Sequence, residues 1–232
     1  EDLLGAPLFV RGRKGAVLTA PAEAFMRHAH ASVNALTQAV DSVLHGAEVA
    51  ALRLGVLPTV AVAFLPAVTA RFVAAHPLVP LRVTTGRNSH LLEQLRSREL
   101  DAVIGRLSDP DLMAGLSFEH LYAEPMVIVH RPGHPLAGAS APQALAGLAT
   151  HPLVLPLAGT LIRQVADGFL ARHGLSPAAG VVETLDASFA RALVLRGDNL
   201  WFTPSGAALP ELQAGTVARL PVTITPDEPV GL

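Results

Sequence analysis

The sequence predicts an α/β protein of two small lobes, preceded by one long helix that belongs to neither. Three observations lead there. Between Leu52 and Ile104 the apolar residues switch repeatedly from strand-like alternation to helical spacing. The same switching returns between residues 152 and 203, and strands alternating with helices over short links make parallel sheets. Upstream, Met26, Ala29, Val33, Leu36, Val40 and Val43 are spaced 3, 4, 3, 4, 3. That seam is narrow and suits one partner helix better than a broad core. A helix lying on its own lobes is the alternative.

At the start, Leu4-Gly5 reads as a helix end, followed by two short strands around a turn carrying Arg11, Arg13 and Lys14. Such a hairpin could touch phosphates, although an ordinary solvated turn has the same composition. Thr19 is placed to cap the seam helix, with Pro21 and Glu23 in its first turn, and Gly46 is placed to stop it near His45. Leu52–Val56 is a strand. After the Leu57-Pro58-Thr59 turn, Val60, Phe64, Leu65, Val68 and Phe72 mark a helix over 59–75, bent at Pro66. Pro58 suits its first turn and the Thr59 hydroxyl can reach free amides there, a ready place for a carboxylate or phosphate. His76-Pro77 ends the helix. Leu81–Thr84 is a second strand, a helix capped by Asn88 or Ser89 follows, and Leu100–Gly105 is a third strand, apolar on both faces.

Residues 109–119 read as loop. Glu124-Pro125 leads into the strong strand Met126–His130. The second half predicts a strand over 152–156, a helix from Thr160 to His173, a strand over 181–184, a helix over 187–196 capped by Asp186 or Ser188, and a strand over 199–203. A short helix to Leu212 and a strand over 216–220 follow. The chain is thus expected to cross between halves near Glu124-Pro125 and again near Phe202-Pro204, which makes a hinged cleft.

Of the 232 residues half are hydrophobic and 16% charged, enough to bury a sizeable core. A net charge of −2 gives no overall pull toward nucleic acid or an anionic membrane. The chain has no cysteine, which removes disulfides and thiolate metal sites and fits a reducing compartment. No apolar run reaches the roughly 18 residues of a membrane span, and the N-terminus lacks a signal-peptide pattern. Beginning at Glu1, the chain is expected to have lost something upstream. There is no Gly-x-Ser-x-Gly elbow, Walker loop, Gly-x-Gly-x-x-Gly or His-Glu-x-x-His. The ten histidines show no ligand spacing; His28 and His30 do not share a helix face. No metal, no cofactor and no catalytic centre are expected. Asp101 and Glu124 are the carboxylates best placed for acid–base work, yet each reads better as a cap or hinge contact.

What remains is binding. Pro58, Thr59 and Val60 at one helix start, Asn88 and Ser89 at another, Arg106 past a strand end and Thr160 in the other half should converge on the cleft, since open α/β sheets bind ligands at the carboxyl ends of their strands. Hydroxyls and amides with Arg106 or Arg87 nearby suit a small carboxylate or a polyol.

The pieces resemble the LysR-type transcriptional regulators. Leu4-Gly5-x-x-Leu8-Phe9-x-Arg11 and Leu18-Thr19 are similar to the end of the family's winged helix-turn-helix. The seam helix resembles its linker helix. Arg53-Leu54-Gly55, Leu65-Pro66, Phe72, His76-Pro77, Gly86, Leu95, Leu100 to Gly105, Glu124-Pro125 and His134-Pro135-Leu136 match its effector domain in order and spacing. Gly105-Arg106 and Gly86-Arg87-Asn88 resemble the subgroup controlling protocatechuate breakdown and sugar-binding-protein operons. Pro21 departs from the family's usual glycine.

The resemblance implies a two-lobed, periplasmic-binding-protein-like effector domain in a cytoplasmic bacterial regulator. It implies DNA binding as a homodimer or homotetramer, and a small-molecule effector, a carboxylate or a sugar. Effector contacts would fall at Thr59 and Val60, at Asn88 and Ser89, and on the return strand near Phe202. The expected organisation is a wing remnant over 1–19, a linker and dimerisation helix over 20–46, a first subdomain of 50–124 with 203–232, and a second of 125–202. With the recognition helix and the family's last helix expected to be missing, only Arg11, Arg13 and Lys14 would reach DNA. A periplasmic-type solute-binding protein shares the two lobes and is the competing reading; it has no use for a wing and a seam helix.

Overall fold

The computed structural model describes residues 1, 3–12, 15–44, 50–177, 180–225 and 227–232. Arg13, Lys14 and the helix stop at Gly46 lie outside them. The chain opens with an antiparallel hairpin, β1 (Phe9–Gly12) and β2 (Gly15–Leu18). Thr19 then caps α1 (Ala20–Leu44), its hydroxyl accepting from Ala22 N at 3.3 Å and donating to Pro7 O at 2.7 Å. Along α1 the seam residues Met26, Val33, Leu36 and Val40 are exposed, 67% in the case of Leu36, so this helix does not spend its apolar stripe on its own lobes.

The first lobe holds β3 (Leu52–Val56), α2 (Pro58–Ala63), α3 (Leu65–Ala75), β4 (Leu81–Thr85), α4 (Asn88–Arg96), β5 (Ala102–Arg106), α5 (Pro110–Met113) and β6 (His120–Glu124). The expected single helix over 59–75 is two. It breaks at Phe64, before Pro66, whose missing N–H and ring spoil the turn ahead of it. The third strand starts two residues later than expected and ends one residue later. The second lobe holds β7 (Met126–His130), α6 (Ala141–Leu148), β8 (Leu153–Leu155), α7 (Leu161–Arg172), β9 (Val181–Glu183), α8 (Ala187–Arg196), β10 (Leu200–Pro204), a 3-10 turn (Ser205–Ala208), α9 (Leu209–Gln213) and β11 (Ala218–Arg219). Finally β12 (Glu228–Gly231) returns to the first lobe.

One five-stranded sheet runs β4-β3-β5-β12-β6 and the other β11-β7-β10-β8-β9. In the first, β3 pairs in parallel with β4 and β5, while β12 runs antiparallel between β5 and β6. In the second, β8 is parallel to β9 and β10, and β7 is antiparallel to β10 and β11. The first crossing between sheets falls at Pro125, between β6 and β7. The second is a correction: β10 and β11 both belong to the second sheet, so residues 203–219 stay with that lobe, and the return lies between Arg219 and Glu228.

Both faces of the second sheet are covered. Met126, Ile128, Leu153 and Phe202 face Phe169 and Leu148, while Val127, Val129, Val154 and Trp201 face Ala190 and Val194. The first lobe closes over Leu54, Val56, Leu91, Val103, Ile104 and Val230. Asp186 caps α8, accepting from Ser188 N at 2.8 Å and Phe189 N at 3.0 Å. Asp186→Ala is expected to cost about 1 kcal/mol in a denaturant melt, the usual worth of such a cap. Among the described residues no helix is long and apolar enough to cross a membrane.

Candidate ligand-binding cleft

The starts of α2, α4 and α7 and the carboxyl end of β5 open into one cleft, a cavity of about 150 Å³ with walls from both lobes. Pro58, Thr59, Asn88, Ser89 and Arg106 contribute from the first lobe and Thr160 from the second. Gly159, at φ +78°, makes the left-handed turn that brings Thr160 to the cleft. Six of the eight expected cleft residues thus line one cleft. The other two do not. Val60 is 1% exposed in the first-lobe core, and its amide donates back to Leu57 O. Phe202 is fully buried against Phe169 and borders only a small hollow beside the cleft.

Several expected roles also change. Leu57, not Thr59, precedes α2, and no side chain caps it. The Thr59 hydroxyl instead accepts from Arg106 Nη1 at 3.2 Å. Neither Asn88 nor Ser89 caps α4, which begins after Arg87. Asn88 clamps the end of β5: its Nδ2 donates to Arg106 O at 2.8 Å and Ser108 Oγ at 2.6 Å, and its Oδ1 accepts from Arg106 N at 3.4 Å. Gly105 leaves the room for it, since a Cβ there would collide with Asn88 Oδ1. Thr160 caps α7, accepting from Arg163 N at 3.3 Å and donating to Leu157 O at 2.7 Å.

Arg106 sits at the floor of the cleft as half of a buried ion pair. Its Nη2 donates to Glu124 Oε2 at 2.6 Å, with both side chains 3% exposed. Glu124 Oε1 accepts from Gly206 N at 2.8 Å. That contact joins the last residue of β6 to the turn after β10, beside which α2 packs. Burial pushes the Glu124 carboxyl up, opposed by the Arg106 charge and the Gly206 amide. Burial likewise lowers Arg106, against the pull of Glu124 and Glu228. The Tyr122 phenol beside the pair is pushed up to about 12, first by burial and then by the Glu124 charge. Asp101, the other carboxylate singled out in the sequence, is taken by Arg53, with Nη2 donating to Oδ1 at 2.6 Å.

The sequence reading missed the apolar part of the cleft: Leu112, Leu161, Ile162 and Leu185. Only the carboxyl-end rule that picked Arg106 could have drawn in neighbouring Ser108 and Asp109. It also missed the stack of His130, His134 and His151, with ring centroids 5.3 and 4.9 Å apart, because their spacing follows no ligand pattern. Among the described residues no group of three ligating side chains is arranged to hold a metal.

A family profile, LysR substrate binding domain, matches residues 45–232. The HTH-type transcriptional regulator PcaQ of Agrobacterium fabrum is 39% identical over 235 aligned residues, covering 100% of this chain and 75% of PcaQ. The uncharacterized HTH-type regulator YdcI of Escherichia coli is 39% identical over 236, covering 100% of this chain and 76% of YdcI. Among solved structures, a probable transcriptional regulator of Pseudomonas aeruginosa superposes with a TM-score of 0.65 at 24% identity, covering 98% of this chain and 76% of that one. A full-length OxyR variant of the same organism gives 0.63 at 21%, covering 99% and 79%. These two share the fold. Nothing in these likenesses favours a solute-binding protein. Two α/β lobes around a cleft, behind a hairpin and a seam helix, with a family profile over most of the length, place this chain in the LysR family of transcriptional regulators, as a chain carrying its effector-binding domain.

Proposed function

We propose that this chain senses a small molecule in the cleft between its lobes and passes occupancy to a DNA-binding head through α1. The observation that carries the reading is the shared lining: Thr59, Asn88, Ser89 and Arg106 of one lobe and Thr160 and Ile162 of the other border the same cleft. A ligand touching both lobes favours one hinge arrangement over another, and that preference is the whole of its leverage. The protein is read as a cytoplasmic regulator and not an enzyme, bound to no membrane. It pairs with a second copy, or with three, through the exposed seam of α1. Residues 1–19 are the end of a winged helix-turn-helix, in which Arg11, Arg13 and Lys14 face DNA. Residues 20–46 are the linker. PcaQ, a named transcriptional regulator 39% identical along the whole of this chain, supports the same reading.

A thermal-shift screen of aromatic acids, sugar acids and sugars tests it. A ligand that raises Tm in the parent but not in Ser89→Trp, which fills the cleft, is the expected result; a ligand indifferent to Ser89→Trp binds elsewhere. Thr59→Ala is expected to weaken binding by roughly 0.5–1.5 kcal/mol, one hydrogen bond's worth, by titration calorimetry. Light scattering that finds a monomer at micromolar concentration would remove the pairing of α1.

A further inference from the structure

Three histidines gather at the end of the second lobe that faces away from the cleft. The cleft's second-lobe lining, Gly159 to Ile162 and Leu185, follows the carboxyl ends of β8 and β9. The strand β7 runs the other way, and His130 closes it beside the start of β10. His134 stands in the turn that follows, and His151 comes just after α6. The His134 ring lies between the other two, its centroid 5.3 Å from that of His130 and 4.9 Å from that of His151.

Backbone partners fix where each neutral ring keeps its proton, because a carbonyl only accepts and an amide N–H only donates. His130 Nδ1 meets Arg131 O at 2.8 Å and His151 Nδ1 meets Gly147 O at 2.9 Å, so both rings carry the proton on Nδ1. His134 is the reverse. Its Nδ1 accepts from Leu136 N at 3.0 Å, which places the proton on Nε2. That buried Nε2–H has no acceptor in bonding geometry among the described residues. His130 and His151 can each take a second proton on Nε2 without losing these bonds. His134 can take one only on Nδ1, where it meets the Leu136 amide proton head-on. Leu136 is what that amide keeps in place. Its side chain packs on the second-lobe core over Gly147 of α6, where a Cβ would collide with it. The Gly147 carbonyl in turn receives the Thr150 and His151 amides that finish the helix.

We propose that His134 is an acid-sensitive latch of the second lobe. As the neutral imidazole it holds Leu136 N and seats Leu136 over Gly147. On taking a proton from solvent at Nδ1 it loses that bond, and the turn over 131–137 lifts from the end of α6.

The surroundings set the direction. His134 is 2% exposed, and burial pushes its pKa down. The Asp198 backbone pulls it up, charges on His130 and His151 push it down, and the Asp198 carboxylate pulls it up. Those groups reach it from β7, from behind α6 and from the loop before β10, and Arg131 Nη2 already holds the Asp198 carboxylate at 2.7 Å. The folded state therefore resists a proton that the unfolded chain accepts at about 6.5. Stability contributed by the latch is present above that value and is lost as pH falls below it. Acidity is read at one end of the lobe and cleft occupancy at the other, and β7 runs from the latch to the crossing at Pro125.

Nitrogen-resolved NMR of the imidazole rings, amide hydrogen exchange and thermal melts on this chain test the proposal between pH 7.5 and 5.5. At pH 7.5 His134 is expected neutral with its proton on Nε2, and His130 and His151 with theirs on Nδ1. Protection of the Leu136 amide, corrected for intrinsic exchange, should fall about tenfold by pH 5.5, the factor for one pH unit below 6.5. His134→Asn offers Oδ1 to Leu136 N but takes up no proton. It should keep that protection, and its Tm should fall by about 3–5 °C less than the parent's over the same range. A merely structural His134 would give parent and variant the same pH profile. That result overturns the proposal, as does a His134 proton on Nδ1 at pH 7.5 or a Leu136 amide whose protection ignores pH. Should His134→Asn fail to fold, the ring spectra and the Leu136 exchange of the parent decide alone.

Discussion

Arg106→Met is expected to lower stability by about 3–5 kcal/mol, because it leaves Glu124 ionised and without its cation inside the protein. Glu124 is 3% exposed, so water cannot take over what Arg106 supplied. For a chain of this length each kcal/mol moves Tm by about 2–4 °C, so a fall of about 6–20 °C is expected in a thermal melt. The loss should depend on pH. In the variant the folded-state pKa of Glu124 rises further above its unfolded value of about 4.3. The folded state then binds more protons than the unfolded one between those two values, and stability falls as pH rises through that window. Melts at pH 5 should therefore show a smaller deficit than melts at pH 8. Replacing both partners, Arg106→Met with Glu124→Leu, should recover much of the loss, since a buried pair is often no better than apolar residues of similar volume. Recovery stays partial, because Gly206 N and the Thr59 hydroxyl lose their bonds to the pair. A single variant as stable as the parent at pH 8 would show that the pair is far wetter than its burial.

The second large effect separates a wall residue from a core residue. Phe202→Ala is expected to cost about 3–5 kcal/mol, the range for deleting a buried aromatic side chain. Phe202 is fully buried, and its ring meets Phe169 at 5.9 Å in an edge-on arrangement. Phe202→Leu keeps most of the volume and should lose much less, with ligand affinity unchanged once the protein is folded. Urea unfolding gives the first number and titration of any cleft ligand the second. A Phe202→Leu variant that folds normally but binds tenfold worse would return Phe202 to the cleft wall.

The same two residues mark how far the sequence could be read. Phe202 was expected in the site because the family resemblance implies effector contacts on the return strand, and it does lie on that strand. A strand alternates its faces, however, and in a sheet covered on both sides neither face is wet. Sequence pattern cannot tell which buried face borders a cleft. Arg106 was legible because it closes a strand at its carboxyl end, where open α/β sheets bind ligands. Its partner was not, because β12 lies between β5 and β6, and β12 itself is nearly invisible. Glu228-Pro229-Val230-Gly231 carries one strong strand former, and proline argues against a central strand. The structure tolerates Pro229 because β12 pairs with β5 only through Val230 and Gly231, leaving Pro229 opposite Ala123 alone. The two-lobed fold and the α8 cap at Asp186 were readable, each set by local chemistry. Asn88 was misread as a cap because its real partners, Arg106 and Ser108, are eighteen and twenty residues away.

The late arrival of β12 also dictates an order of assembly. On a chain emerging from the ribosome, every strand of the second lobe is available once Arg219 is out, while β6 still lacks the neighbour that joins it to β5. The lobe synthesised first is therefore completed last, and a nascent chain halted short of residue 228 would carry two unpaired strand edges for chaperones to shield.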